Sequence, residues 1–476
     1  MDNSGLQYLP ASDHANSDAV TAAPGACIPE NCDPSPNQEL LPLTAQVNEH
    51  DHLEIGGCDL KQLVEQFGSP LYILDEYTLR TACRQYKQAF EQYYPGDSLV
   101  LYASKAWSCL AVCAIIAAEG LGIDVVSGGE LYTALQAGIK PQHIYLHGNN
   151  KSIDELQFAI NSEVTVMVDN WLELQNLVKL TTSQSDNSPT RIMIRFTPGI
   201  ECHTHEYIRT GHLDSKFGFD PNQLDEVFRY ISQQPTLNFV GLHVHIGSQI
   251  FEIQPHQDIA GVMMEAVEKA NQFGLSIAEL NVGGGLGIRY TESDDPPSIT
   301  TWVKTVCEAV IQACEQRQLP LPKLLCEPGR SLIGPACVTA YTVGATKTVP
   351  DIRTYIAVDG GMSDNPRPIT YQSVYRSVVA NRMSAPLSET VTVAGKHCES
   401  GDIVIKDAQL PPTQAGDILV VMATGAYNYS MASNYNRLPR PAGVIVNDGE
   451  SNLILARETY QDLIRQDRLP QRLCLS

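Results

Sequence analysis

The chain has 476 residues, 43% apolar and 18% charged, with a formal charge of −22. That length exceeds one ordinary core and points to two domains or a large α/β barrel, and no apolar run approaches the ~20 residues needed to span a bilayer. An acidic surface repels polyanions, which argues against nucleic acid or anionic membrane as a non-specific partner.

Residues 1–45 are rich in Ala, Ser, Asn, Asp and Pro, and no Lys or Arg precedes Lys61. This composition argues against a secretory or Arg-rich targeting segment and predicts a flexible extension. From residue 71 onward, short apolar runs alternate with amphipathic stretches of helical length. In chain order the pattern predicts a strand at 71–74, a helix at 77–92, and strands at 98–103 and 123–126. A helix at 129–137, a strand at 143–146, a helix at 153–161 and strands at 164–168 and 191–196 follow. The series closes with helices at 224–233, 259–273 and 301–317 interleaved with strands at 239–244, 280–282 and 323–326. Such alternation means parallel pairing under a cover of helices. Nine strands are one too many for a (β/α)8 barrel. Assigning 71–74 to a second domain leaves eight that place every motif described below at a strand's C-terminal end.

After Arg330 the rhythm changes. Strands at 338–346, 354–358, 389–393, 417–421 and 443–447, separated by Gly, Pro and Asp turns, predict a mostly antiparallel sandwich or small barrel. The expected fold is therefore α/β: a TIM-like barrel over 77–330, with 46–76 and 331–476 forming a second, mostly antiparallel β domain. The thirteen cysteines are odd in number and lack a CxxC frame, which suits buried free thiols in a reducing cytoplasm better than a disulfide scaffold. Cys27 with Cys32, and Cys109 with Cys113, lack the His or Cys pair that would complete a metal site, so no metal is expected.

Chemistry concentrates at the predicted strand ends. Lys105 follows the apolar run 98–103, where a partly desolvated amine has a lowered pKa and can attack a carbonyl. Alone it reads as a snorkelling surface lysine; the motifs downstream change that. Gly283-Gly-Gly-Leu-Gly287 follows the seventh barrel strand, Glu327-Pro-Gly-Arg330 the eighth and His245-Ile-Gly-Ser248 the sixth. Glycine-bearing loops after strands seven and eight are where barrels commonly bind phosphate. Glu327 placed against a heterocyclic nitrogen would keep it protonated, and His245 could stack on the ring. Lysine, phosphate nest, carboxylate and imidazole together describe a site for pyridoxal 5′-phosphate.

These residues resemble the alanine-racemase-like fold of pyridoxal-phosphate enzymes, and within it the diaminopimelate decarboxylases. The resemblance runs from about Asp51 to Thr459. It rests on Tyr102-Ala-Ser-Lys105-Ala, Asp124-Val-Val-Ser-Gly-Gly-Glu130, His147-Gly-Asn-Asn-Lys151, Arg195-Phe-Thr-Pro-Gly199 and His203-Thr-His-Glu206. Further matches are Ser215-Lys-Phe-Gly218, the run Gly241–Gln249, Gly283-Gly-Gly285 and Glu327-Pro-Gly-Arg330. The second half adds Asp359-Gly-Gly-Met-Ser-Asp364, Arg367-Pro-Ile-Thr-Tyr371, Cys398-Glu-Ser-Gly-Asp402 and Gly425-Ala-Tyr427.

The resemblance implies roles. Lys105 would form the Schiff base with the cofactor, His245 would stack on it, and Glu327 would face its ring nitrogen. Ser248, Gly285, Gly329 and Arg330 fall at phosphate-side positions. Arg330, Arg367, Tyr371 and Glu399 match substrate-holding positions, and Tyr427 lies near both cofactor and substrate. Cys398 matches the residue that reprotonates the intermediate, supplied in this family across the interface of a head-to-tail homodimer. The family often has Asn where this chain has Trp107, which affects only local packing.

The implied reaction is decarboxylation of meso-2,6-diaminopimelate to L-lysine and CO2, the last step of lysine biosynthesis, in the cytoplasm. The alternatives are a related decarboxylase of ornithine, arginine or carboxynorspermidine, an amino-acid racemase, or a non-catalytic homologue that binds the cofactor. The polyamine-pathway substrates lack the distal carboxylate that paired arginines would hold. A racemase would need a second base facing Lys105. A non-catalytic homologue would be expected to lose Lys105, Glu327 or Cys398.

Overall fold

The structure is a computed structural model that describes residues 34–183, 188–200 and 214–473. Eight parallel strands close into a barrel: Ser98–Ala103, Gly122–Val125, Ile144–Leu146, Thr165–Val168, Thr190–Arg195, Leu237–His243, Glu279–Asn281 and Lys323–Cys326, here barrel strands one to eight. Leu324, Leu325 and Cys326 pair with Ser98, Leu99 and Val100, which joins strand eight to strand one. Each strand lies within two residues of its predicted position.

Helices follow the strands and begin at capping side chains on the barrel's C-terminal rim. Ser127, Ser152, Asn170 and Ser298 each accept a backbone N–H of the helix they open, a bond stabilising by about 1 kcal/mol. Two of the ring helices carry little periodic signal. Leu110–Ala118 is apolar on every side, and Trp171–Thr182 buries Glu173 among its leucines.

The two ends of the barrel differ. Leu99, Leu101, Tyr145, Met167, Met193, Val240 and Leu325 pack into one apolar cluster. At the N-terminal mouth Glu279 Oε1 accepts from Arg191 Nη2 at 2.8 Å, and Glu279 Oε2 accepts from Tyr145 OH at 2.9 Å. The C-terminal mouth is open and carries the motif side chains described below, the division expected between a stability face and a reactive face.

Leu71–Asp75 pairs antiparallel with Cys337–Val349 and parallel with Ala442–Asn447, and so belongs to the second, mostly antiparallel sheet. The thirteen-residue strand Cys337–Val349 is shared. Its first half pairs with Leu71–Asp75 and Ile418–Val421, its second half with Arg353–Val358. Ser377–Val379, Ile403–Leu410 and Glu450–Leu455 are strands without a sequence prediction. Their burial explains why: Glu450–Leu455 has no fully buried residue, and Ile403–Leu410 breaks alternation at Lys406 and Asp407.

One expectation is corrected at the N-terminus. From Ser35 the chain is anchored, not loose: Asn37 is fully buried, and its Nδ2 donates to Gly287 O at 3.1 Å and Pro297 O at 2.9 Å. Arg289 N donates back to Asn37 O at 2.9 Å. Composition misled here because a few buried hydrogen bonds, not apolar area, secure this segment. Asn37→Ala would leave both carbonyls unpaired and is expected to cost about 1–3 kcal/mol, read by urea denaturation.

Candidate active site

Every barrel strand but the fourth lends a residue at or just past its end to the cavity at the C-terminal mouth. Strand one runs into the single turn Ser104–Ala106 that carries Lys105. Ser104 Oγ donates to Glu130 Oε2 at 2.6 Å and Val126 N donates to the same oxygen at 2.8 Å, tying the turn to the helix after strand two. From the second domain, Tyr427 N and Ser430 Oγ both donate to Ala106 O, at 2.8 and 3.1 Å. Trp107 is buried and packs against Tyr72 and Tyr429, with ring centroids at 5.8 and 5.9 Å.

These elements enclose a cavity of about 930 Å³. Lys105, His245, Ser248, Gly285, Glu327, Gly329, Arg330, Arg367, Tyr371 and Tyr427 all line it. Cys398 and Glu399 do not. They sit exposed on the loop between Glu389–Ala394 and Ile403–Leu410. That loop is nonetheless fixed: His397 Nδ1 lies 2.6 Å from Asp402 Oδ2, Met362 N donates to Asp402 Oδ1 at 2.7 Å, and Cys398 N donates to Asn436 Oδ1 at 2.9 Å. The motif His203–Glu206 and the pair Cys27 and Cys32 lie outside the described residues.

Glu327 sits at the cavity floor, just past strand eight. Asn281 Nδ2 donates to its Oε1 at 2.6 Å, His243 Nε2 lies 3.0 Å from Oε2, and His147 Nε2 lies 2.9 Å from Oε1. Burial opposes ionisation, but His147 and His243 outweigh it and hold the carboxyl well below the ordinary range. Burial also lowers His243 to about 4, so this imidazole is neutral and donates through Nε2. Among the described residues His147, His243 and Glu327 are the one set of His, Cys, Asp or Glu side chains close enough to share a cation, and here the two imidazoles serve the carboxylate instead.

Lys105 overturns the expected lowered pKa. Its side chain is accessible, but what it faces is the cavity, so neighbouring buried charges set its protonation. Burial pulls the pKa down, while Asp124, Tyr427 and Glu327 together hold it above the ordinary lysine value. Asp124 in turn is raised to about 6 by burial. His245 stays neutral, pushed well down by burial and then by the Lys105 and Arg195 cations. Gly284 N donates to its Nδ1 at 3.3 Å, which places the ring proton on Nε2.

The glycine loops form a cradle that side chains would fill. Gly285 has φ +124°, and a Cβ there would meet Gly247 O at 3.0 Å and His256 Cε1 at 3.2 Å. A Cβ on Gly329 would meet Ala103 Cβ at 3.0 Å. Beside them Arg330 donates to Ser248 Oγ through Nε and Nη2, at 3.2 and 2.9 Å. Amides bared by glycine, a hydroxyl and a guanidinium are a donor set for phosphate. With an amine and a fixed carboxylate on the same cavity, the residues fit pyridoxal phosphate.

The residues of this cavity lie on a stretch that comparison with known proteins covers. Residues 77–334 match the family described as pyridoxal-dependent decarboxylase, pyridoxal binding domain. A diaminopimelate decarboxylase of Synechocystis sp. is 65% identical over 92% of this chain and 95% of its own length. This chain belongs to the diaminopimelate decarboxylases. Another member, from Bacillus subtilis, is 45% identical over 89% of this chain and 97% of its own. The crystal structure of the M. jannaschii diaminopimelate decarboxylase in complex with L-lysine superposes with a TM-score of 0.85 at 32% identity, covering 92% of this chain and all of that one. Pyridoxal phosphate is accordingly the cofactor of this diaminopimelate decarboxylase family member.

Sequence reasoning gave no role to Tyr290, Asn281, His243, His147, Asp124 and Arg195. The first of these sits between two arginines and is taken up below. His243 was quoted within a motif yet given no role, because alternation along strand six does not reveal which histidine faces the carboxylate. The pKa of Glu327 has a consequence for stability. A depressed folded-state value contributes stability above the ordinary carboxyl pKa and loses it as pH falls through the lowered value. Glu327→Gln is expected to remove that acid-side slope and about 1.5–3 kcal/mol near neutral pH, checked by urea denaturation from neutral pH down to below the ordinary carboxyl range of about 4.

Proposed function

We propose that this protein decarboxylates meso-2,6-diaminopimelate to L-lysine and CO2, the last step of lysine biosynthesis. The observation that carries the reading is a pair of buried guanidiniums, Arg330 and Arg367, facing one cavity with no carboxylate partner among the described residues. Arg367 Nε is buried and has no hydrogen-bond partner. Such groups are costly unless a ligand completes them, and a carboxylate at the far end of the substrate does so bidentately. Ornithine and the other polyamine precursors carry no such group.

Lys105 would hold the cofactor aldehyde covalently, Glu327 would face its ring nitrogen and His245 its ring. Ser248, Gly285, Gly329 and Arg330 would take its phosphate, with Tyr427 alongside. When bound, pyridoxal phosphate supplies an aldehyde for amines and a ring that accepts the electron pair freed as CO2 departs. The chain supplies the rest. Glu327, fixed by Asn281 and His243, presents a full negative charge that keeps a facing ring nitrogen protonated. Arg367, Arg330 and Tyr371 hold the distal carboxylate, and Glu399 takes the distal ammonium. Cys398 delivers the proton to the Cα that has lost its carboxylate, so one C–C bond breaks and one C–H bond forms.

Cys398 and Glu399 lie outside the cavity of their own chain, on a fixed and exposed loop. This supports a head-to-tail homodimer in which each cavity receives them from the other copy. A cytoplasmic location is part of the same reading, supported by nine unpaired thiols among the described residues. Among the described residues no helix is long and apolar enough to cross a membrane.

CO2 release from meso-diaminopimelate, compared with L-lysine, L-ornithine and L-arginine, tests the reaction; faster turnover of any of the last three would overturn the substrate. Lys105→Ala is expected to lose the cofactor's visible absorbance and the activity together. Cys398→Ala should retain that absorbance and lose activity by about 10²–10⁴-fold. Mixing these two inactive variants under subunit exchange should restore about a quarter of wild-type sites, since half the dimers then hold one intact site. No recovery would count against shared cavities.

A further inference from the structure

Tyr290 follows the glycine loop of strand seven and reaches into the cavity between the two arginines. It is buried, and its hydroxyl oxygen accepts from Arg330 Nη1 at 2.7 Å and from Arg367 Nη1 at 3.1 Å. Its backbone is fixed from both sides. Tyr290 N donates to Asp294 Oδ2 at 3.0 Å, and the preceding Arg289 N is held by Asn37 O. Tyr375 meets the ring edge-on at 5.3 Å.

The hydrogen-bond inventory of a phenol makes this placement selective. The oxygen has two acceptor positions and one proton. Two guanidiniums engage the acceptor positions, which leaves the proton as the only function turned toward a ligand. Among the described residues no acceptor takes it. A carboxylate arriving between Arg330 and Arg367 would accept that O–H as well as the guanidinium N–H groups. An ammonium or an alkyl end offers nothing to accept it and meets two positive charges.

Resting on the decarboxylase reading above, we propose that Tyr290 is a specificity-determining residue. It holds Arg330 and Arg367 in register and donates its proton to the distal carboxylate, so that the site selects the amino-acid end of the substrate over a bare diamine. The charged and titratable groups around the hydroxyl are Arg330 after strand eight, Arg367 and Tyr371 on Arg367–Tyr371, Tyr375 beyond that helix, Tyr427 on the second-domain loop and Asp294 on Tyr290's own loop. Burial opposes ionisation of the phenol, but the two guanidiniums bring its pKa below the ordinary tyrosine value. The ionised form has no proton to give and repels a carboxylate. Affinity for a carboxylate ligand therefore falls as pH rises through that lowered value.

The test uses cofactor-loaded wild type and Tyr290→Phe, with L-lysine, which keeps the distal carboxylate, and cadaverine, which has none. Dissociation constants follow from the change in cofactor absorbance. Tyr290→Phe is expected to weaken L-lysine by about 10- to 100-fold while cadaverine changes less than about threefold. For meso-diaminopimelate KM should rise by a similar factor with kcat little changed, and the alkaline fall in kcat/KM should vanish. Equal weakening of both ligands, loss of the cofactor itself, or unaltered L-lysine binding would each overturn the proposal. A wild type that does not turn over meso-diaminopimelate would instead overturn the decarboxylase reading, whatever Tyr290→Phe does to ligand binding.

Discussion

A carboxylate kept ionised at the floor of a buried mouth is the constraint on which this site depends. Glu327 is removed from water, which alone would protonate it. Only the convergence of Asn281, His243 and His147 keeps its charge. That convergence draws on strands three, six, seven and eight together, so the barrel must close in register before the carboxylate can exist as an anion. Its negative charge then acts outward: with Asp124 and Tyr427 it helps hold Lys105 as an ammonium, and burial, with Lys105 and Arg195, keeps His245 neutral. Burial and a handful of facing charges thus set one another's protonation across the mouth.

The same logic runs with opposite sign on the other wall. Arg330 and Arg367 are buried cations with only neutral oxygens from Tyr290, Ser248, Ser373 and Ala426 against them. An anionic floor suits a protonated heterocycle, and a cationic wall suits a phosphate and a carboxylate. The cavity is a mould of alternating charge, and a ligand must match both signs to fit.

Much of this was readable in the sequence, for a physical reason. Barrel strands buried on both faces are continuous apolar runs, and loops that approach a phosphate need glycine, so both leave marks in one dimension. The β-domain strands 377–379, 403–410 and 450–455 left weaker marks because they are short, bulged or solvent-facing. Tyr290 and Asn37 left none. Each acts through partners forty or more residues away, and nothing in the local pattern at either position distinguishes a structural hydrogen bond from an ordinary loop residue. Lys105 shows the opposite failure: its position was legible, but its charge depends on Asp124 and Glu327, which only the closed barrel brings close.

The second domain hydrogen-bonds the turn of Lys105 at one point. Tyr427 and Ser430 both bond to a single carbonyl, Ala106 O, one peptide beyond Lys105. A shift of the β domain against the barrel would therefore act on the turn of Lys105, the residue proposed to hold the cofactor. The barrel and the β domain thus share one fixed point at the mouth of the cavity, and the geometry of the lysine depends on both.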